Sequence, residues 1–168
     1  LYLIPDKVIV LDHIYLKNSS IKQRDVKWVG HFVNQPVMSG SIINTEVSGH
    51  IETYNGKDYT SNNGNGNIAI RTLLPDSTTT TRIGGAGYEY WVAGANYPPM
   101  RTPDTGNYTP GGWRIEVRPR IITDTIVYLH TINTGDNVNR SVAGGISLHN
   151  NTSAGVDWND TLYFFSAD

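Results

Sequence analysis

The sequence predicts an all-β chain, an antiparallel β-sandwich of about ten short strands. Three observations carry this. No window repeats apolar residues at i, i+3, i+4 and i+7, so no long amphipathic helix is expected. Short runs rich in Val, Ile, Tyr and Thr recur instead, separated by clusters of Gly, Asn, Asp, Ser and Pro. The third observation is "GGWRIEVRPR", Gly111 to Arg120. With a period of two it places Trp113, Ile115 and Val117 on one side and Arg114, Glu116 and Arg118 on the other. That is a half-buried strand, closed by Pro119, which has no N–H to donate to a ladder.

In chain order, "DKVIVLDHIYL" opens the series and is apolar on both faces, as a central strand would be. "VKWVGHFV", "GSIINTEV" and "GHIETY" follow as further strands. "YNGKDY" carries the Asn-Gly pair favoured in tight hairpins, and "SNNGNGN" reads as a second, flexible hairpin tip before "NIAIRTLL". After the turn at "PDSTTTT" comes the aromatic strand "YEYWVAG". The long irregular connection "NYPPMRTPDTGNYTPGG", Asn96 to Gly112, leads into "WRIEVRP". "DTIVYLHTI" again looks two-sided and central, with a turn at "NTGDN". "RSVAGGISL", the turn "HNNTSAG" and "TLYFFS" complete the chain. The expected core comprises Val8, Val10, Trp28, Phe32, Ile68, Ile70, Leu73, Ile115, Val117, Leu129, Leu162 and Phe164. No internal repeat or linker divides residues 1–168, which read as a single β-sandwich domain.

Composition removes several function classes. Thirteen Lys+Arg against fifteen Asp+Glu give a net charge of −2, which argues against nucleic-acid or membrane-surface binding. No apolar run approaches the roughly 18 residues of a transmembrane helix. There is no cysteine, so disulfide and thiolate chemistry are absent. The opening "LYLIPDKVIVLDHIYL" lacks the basic and apolar regions of a signal peptide and starts directly in a strand. A mature or excised piece of a longer chain would look like this. The five histidines, His13, His31, His50, His130 and His149, form no HxH or HxxxH pair. His31 and His130 read first as hydrogen-bonded strand residues. There is no nucleophile elbow and no phosphate-cradling glycine loop. "NTGDN" and "DWND" offer oxygen ligands that could hold Ca²⁺, but neither fits an EF-hand loop, so no cofactor is expected.

The aromatic residues carry more information. Tyr88, Tyr90 and Trp91 sit in "GYEYWVAGANY", while Tyr97 and Tyr108 lie in the loop that follows. Flat rings stack on the apolar faces of sugars, and Asn, Arg and Asp can bond the hydroxyls around them. Most Trp and Tyr in a sandwich simply fill the core, so the loop residues Tyr97 and Tyr108 are the better candidates for a sugar platform.

The motifs "LYLIPDKVIVLDHI", "VKWVGHF", "RTLLPDSTTTTRIGGAGYEYWVAGANYPP", "GGWRIEVRPR" and "DTIVYLHTI" occur in this order from Leu1 to about Asp136. Together they resemble the C-terminal β-sheet region of heparinase II/III-type polysaccharide lyases. The resemblance implies an extracellular or periplasmic module directed at an acidic polysaccharide. Such lyases eliminate the glycosidic linkage after abstracting the proton beside a uronic-acid carboxylate. Their acid/base groups come from segments ahead of this region, so the resemblance assigns no catalytic residue and no metal ligand here. His31 matches a family-like position without being assigned catalysis.

An acidic polysaccharide would suit Arg114 and Arg118, since guanidinium forks hold carboxylate or sulfate bidentately. Arg101 in the long loop would add an anionic contact, and Arg71 and Arg120 could extend the surface. The competing expectation is that Glu116 and cross-strand partners satisfy the two arginines. Two functions stand: a non-catalytic carbohydrate-directed module, or a structural subunit that self-associates by β-strand addition through exposed edges.

Overall fold

The computed structural model describes residues 2–4, 6–16, 26–98, 111–121, 123–136, 145–149 and 153–166. They form antiparallel strands and one short 3₁₀ turn, Val47–Gly49. The fold is an antiparallel β-sandwich, with a third sheet added behind it.

The central sheet has the order β1 (Tyr2–Ile4), β2 (Lys7–Tyr15), β13 (Thr125–Asp136), β8 (Gly66–Leu74), β7 (Asp58–Asn63) and β4 (Val37–Met38). The front sheet has the order β3 (Trp28–Phe32), β12 (Trp113–Pro119), β9 (Thr78–Gly84), β6 (Ile51–Tyr54) and β5 (Ile42–Glu46). The back sheet contains β14 (Gly145–His149), β15 (Ser153–Trp158) and β16 (Thr161–Ser166). A two-rung hairpin, β10 (Trp91–Val92) with β11 (Ala95–Asn96), completes the described strands.

The two-sided strands of the sequence lie in the central sheet, where both faces are covered. Toward the front, Ile70, Ile126 and Tyr128 pack with Phe32, Ile115 and Val117, and Trp28 and Trp113 close the margin. Toward the back, Ile9, Leu73, Leu74 and Leu129 pack with Ala154, Val156 and Trp158. Period two divides β13 between the cores: Ile126 and Tyr128 face forward, and Leu129 faces back. A strand serving two cores has no polar face, which is why "DTIVYLHTI" shows no alternation.

Several expectations need correction. "WRIEVRP" is not half-exposed, because β12 lies inside the front sheet and even Glu116 is buried. Leu162 and Phe164 are each 59% exposed, while Tyr163 and Phe165 pack on the back core. Val8, Val10, Trp28 and Ile68 are half-buried, and Ile9 between the two valines is the fully buried residue of β2. "YNGKDY" is not a hairpin, since it carries the chain from β6 in the front sheet to β7 in the central one. There Asn55 Oδ1 accepts from the Ser41 amide, and Gly56 passes close to Ser39. "SNNGNGN" is the hairpin: Asn63 pairs with Gly66 across Gly64, whose φ of 57° suits glycine. "NTGDN" is no turn over its described part, because β13 runs through Asp136. "YEYWVAG" is not one strand: residues 85–90 turn, and only Trp91–Val92 pairs.

Candidate functional site

The outward face of the front sheet follows from period two. β12 turns Ile115 and Val117 into the core, so Arg114, Glu116 and Arg118 must project outward. β3 pairs antiparallel with β12, placing His31 opposite Arg114 and Val29 opposite Glu116. Lys27 immediately precedes β3 on the same alternation.

These side chains converge on Glu116. Lys27 Nζ lies 2.7 Å from Oε1, Arg114 Nε donates to Oε1 at 2.9 Å, and Arg118 Nη2 donates to Oε2 at 3.2 Å. The Glu116 side chain is only 4% exposed. Burial pushes its carboxyl upward, but Lys27, Arg114 and Arg118 outweigh that and hold it below the usual carboxylate range. The group is therefore ionised at neutral pH. One carboxylate faces three fixed cations.

The three cations are not equivalent. Arg114, 12% exposed, also donates from Nη2 to the Trp91 carbonyl at 2.7 Å and braces the β10–β11 hairpin against the sheet. That hairpin turns through Ala93 and Gly94, both at positive φ. Its base is fixed by Tyr90 N, which donates to Asn96 Oδ1, and by Tyr88, which stacks on His50 at 3.9 Å and tilts against Trp91. His50 Nδ1 in turn lies 3.0 Å from the Gly84 carbonyl oxygen. Arg118 and Lys27 keep more of their length in solvent, at 38% and 30%. The result is a groove of about 440 Å³ between hairpin and sheet, with Trp91 and Val92 as one wall and Lys27, His31 and Arg118 among its lining. A cationic floor with an apolar wall can hold an anionic group on a partly apolar body.

The sequence-derived candidates separate accordingly. The structure brings Arg114 and Arg118 together, joined by Lys27, His31 and Trp91. Tyr97 is 62% exposed just beyond β11, and its amide donates to the Tyr90 carbonyl, but it does not line the groove. Arg101 and Tyr108 lie outside the described residues. Arg71 does not extend the surface, because it sits on the central sheet and clasps Asp58 with Nε and Nη2, each at 2.9 Å. Arg120 Nε donates to the Thr78 carbonyl at 3.0 Å. His31 is exposed at the groove, whereas His130 is fully buried and bonds Thr72. Sequence reading missed Lys27, although the alternation Lys27, Val29, His31 against Trp28 and Phe32 was a usable signal.

Among the described residues, no three His, Asp or Glu side chains converge as a metal site. No helix there is long and apolar enough to cross a membrane. No family model matches the chain, and no curated protein matches it.

Proposed function

We propose that this chain is a non-catalytic, carbohydrate-directed β-sandwich module that holds an acidic polysaccharide on the outer face of its front sheet. The observation that carries this reading is the convergence of Lys27, Arg114 and Arg118 on one buried carboxylate inside a walled groove. Glu116 fixes the cations in place, and Arg118 and Lys27 supply the ligand contacts. A guanidinium and an ammonium held in register lose little side-chain freedom when a carboxylate or sulfate arrives. Trp91 offers an apolar edge for the sugar ring. The motif resemblance to the C-terminal region of heparinase II/III-type lyases adds to this reading, as does the extracellular or periplasmic setting it brings.

The test is calorimetric titration with heparin and alginate oligosaccharides. Binding should weaken with salt, because screening at about 8 Å in physiological buffer acts on exposed ends such as Arg118. Lys27→Ala and Arg118→Ala should each cost about tenfold, the scale of one charge-assisted hydrogen bond. The chain alone should release no unsaturated uronide from either polymer. Salt-independent binding, or unchanged affinity in both variants, would remove the groove from the account.

One observation favours a second reading, a subunit that self-associates by strand addition. β16 reads "TLYFFS", without charge or proline, and exposes Leu162 and Phe164. Sedimentation of the wild type beside Leu162→Lys separates the readings, since self-association through β16 should disappear in the variant while glycan binding persists.

A further inference from the structure

A second concavity, of about 800 Å³, lies where β3 runs out beside the ends of β7, β8 and β13. Its chemistry is opposite to the groove's. Among the described residues, the lining contains neither lysine nor arginine, and its polar groups include Ser61, Asn62, Asn63, Asn67, Asp6 and Asp136. We infer that this cleft binds a neutral, hydroxyl-rich ligand, a short stretch of uncharged sugar units, at a site distinct from the anionic groove.

Three features support that ligand class. A side-chain amide presents a donor and an acceptor side by side, matching two neighbouring hydroxyls that can each give and accept. An ionised carboxylate only accepts, so Asp6 and Asp136 suit hydroxyl protons and repel anions. Ile68, half-buried, is also in the lining and offers apolar contact for ring C–H faces. The size lies within the roughly 300–1,000 Å³ of ordinary ligand sites.

The cleft is also braced before any ligand arrives. Asn34 Nδ2 donates to the Asn62 carbonyl at 2.6 Å, and Ser61 Oγ donates to the Asn34 carbonyl at 3.2 Å, tying the exit of β3 to β7. The Thr134 amide donates to the Asp6 carbonyl at 2.8 Å, tying β13 to the β1–β2 turn. Pre-set walls reduce the ordering cost of binding. A bound metal ion fits less well, since among the described residues no three His, Asp or Glu side chains converge to hold one. His31 borders both concavities, so the two sites adjoin without sharing their main contacts.

The experiment is a ¹⁵N–¹H titration of the chain with cellohexaose, maltohexaose and mannohexaose. At least one should move the amide signals of Asn62, Asn63 and Asn67. Asn67→Ala and Asp136→Ala should each weaken that sugar about tenfold, the scale of a hydrogen bond to a charged or well-placed group. Asn63→Ala provides a third probe, and a wild-type amide spectrum establishes that each variant is folded. Lys27→Ala/Arg118→Ala should bind the neutral sugar as the wild type does, so failure of the anionic groove would leave this result standing. No movement of the cleft signals with any of the three sugars would overturn the inference. So would binding indifferent to Asn63, Asn67 and Asp136.

Discussion

Glu116 and His130 are both buried ionisable residues, on two sheets of one sandwich, and they meet burial in opposite ways. Glu116 keeps its charge because Lys27, Arg114 and Arg118 surround it. His130 gives its charge up. Its ring lies 4.2 Å from that of Trp28 and stacks with Tyr128 at 6.1 Å. Among the described residues, its Nδ1 meets the Thr72 hydroxyl and its Nε2 has no hydrogen-bond partner. Burial pushes its pKa down to about 3. The contrast separates a polar cluster built to hold charge from a histidine that serves as core. The proposed anion site rests on the surplus of cations around Glu116, whereas the charge suppressed at His130 bears only on stability.

Breaking the contrast at Glu116 should have the largest effect. Glu116→Gln leaves three cations around an uncharged amide, and removing one partner of a buried ionic cluster costs about 3–5 kcal/mol. Urea denaturation measures this, and a loss below about 1 kcal/mol would show that the cluster behaves as a surface ion pair. A core truncation provides the scale: Leu129→Ala in the back core should cost about 2–5 kcal/mol.

His130 gives the next effect, through pH. Its folded pKa of about 3 lies below the ordinary value of 6.5, so the unfolded chain takes up the proton first as pH falls. The stability it contributes is complete above 6.5 and is lost progressively as pH falls toward 3. At pH 5 the loss should be about 2 kcal/mol, from 1.36 kcal/mol per unit over the interval below 6.5. Glu116, also lowered, adds its own loss only below the ordinary carboxylate range near 4.5. Chemical denaturation at pH 7 and pH 5 should therefore show the histidine's contribution alone from this pair. His130→Phe should flatten that interval, and an unchanged slope would mean that His130 takes up its proton alike in the folded and unfolded states.

The smallest effect is expected on the back sheet. Leu162→Thr and Phe164→Thr should change stability by no more than about 0.5 kcal/mol, because both side chains project outward. A loss comparable to that of Leu129→Ala would mean that a further layer covers them.

These residues also mark how much the sequence revealed. The alternation in Trp113–Arg118 correctly separated an apolar core side from a charged side. It could not show that the charged side is buried, because burial of Glu116 depends on the hairpin at Trp91 and on the register of β3. Lys27 joins the cluster through that same register; its alternation with Val29 and His31 marks its side of the strand but not its partner on β12. The two-sided strands identified the middle of the fold, since only a covered strand can be apolar throughout. "TLYFFS" was legible as a strand but not in phase: Leu162, Tyr163, Phe164 and Phe165 are all apolar, so hydrophobicity cannot choose the inward pair. Asn55-Gly56 signalled a turn correctly and a hairpin wrongly, because turn chemistry fixes the backbone and not the sheet the chain enters next.

The most direct test of the central claim, that the charge held around Glu116 is an anion site, is calorimetry with a heparin tetrasaccharide at low and physiological salt. The wild type should bind, more weakly as salt rises. Lys27→Ala/Arg118→Ala should lose most of that affinity while keeping a folded, wild-type-like circular dichroism spectrum, since Arg114 still pairs with the buried Glu116 carboxylate. Equal affinity in wild type and double variant would contradict the claim and leave the cluster a structural brace.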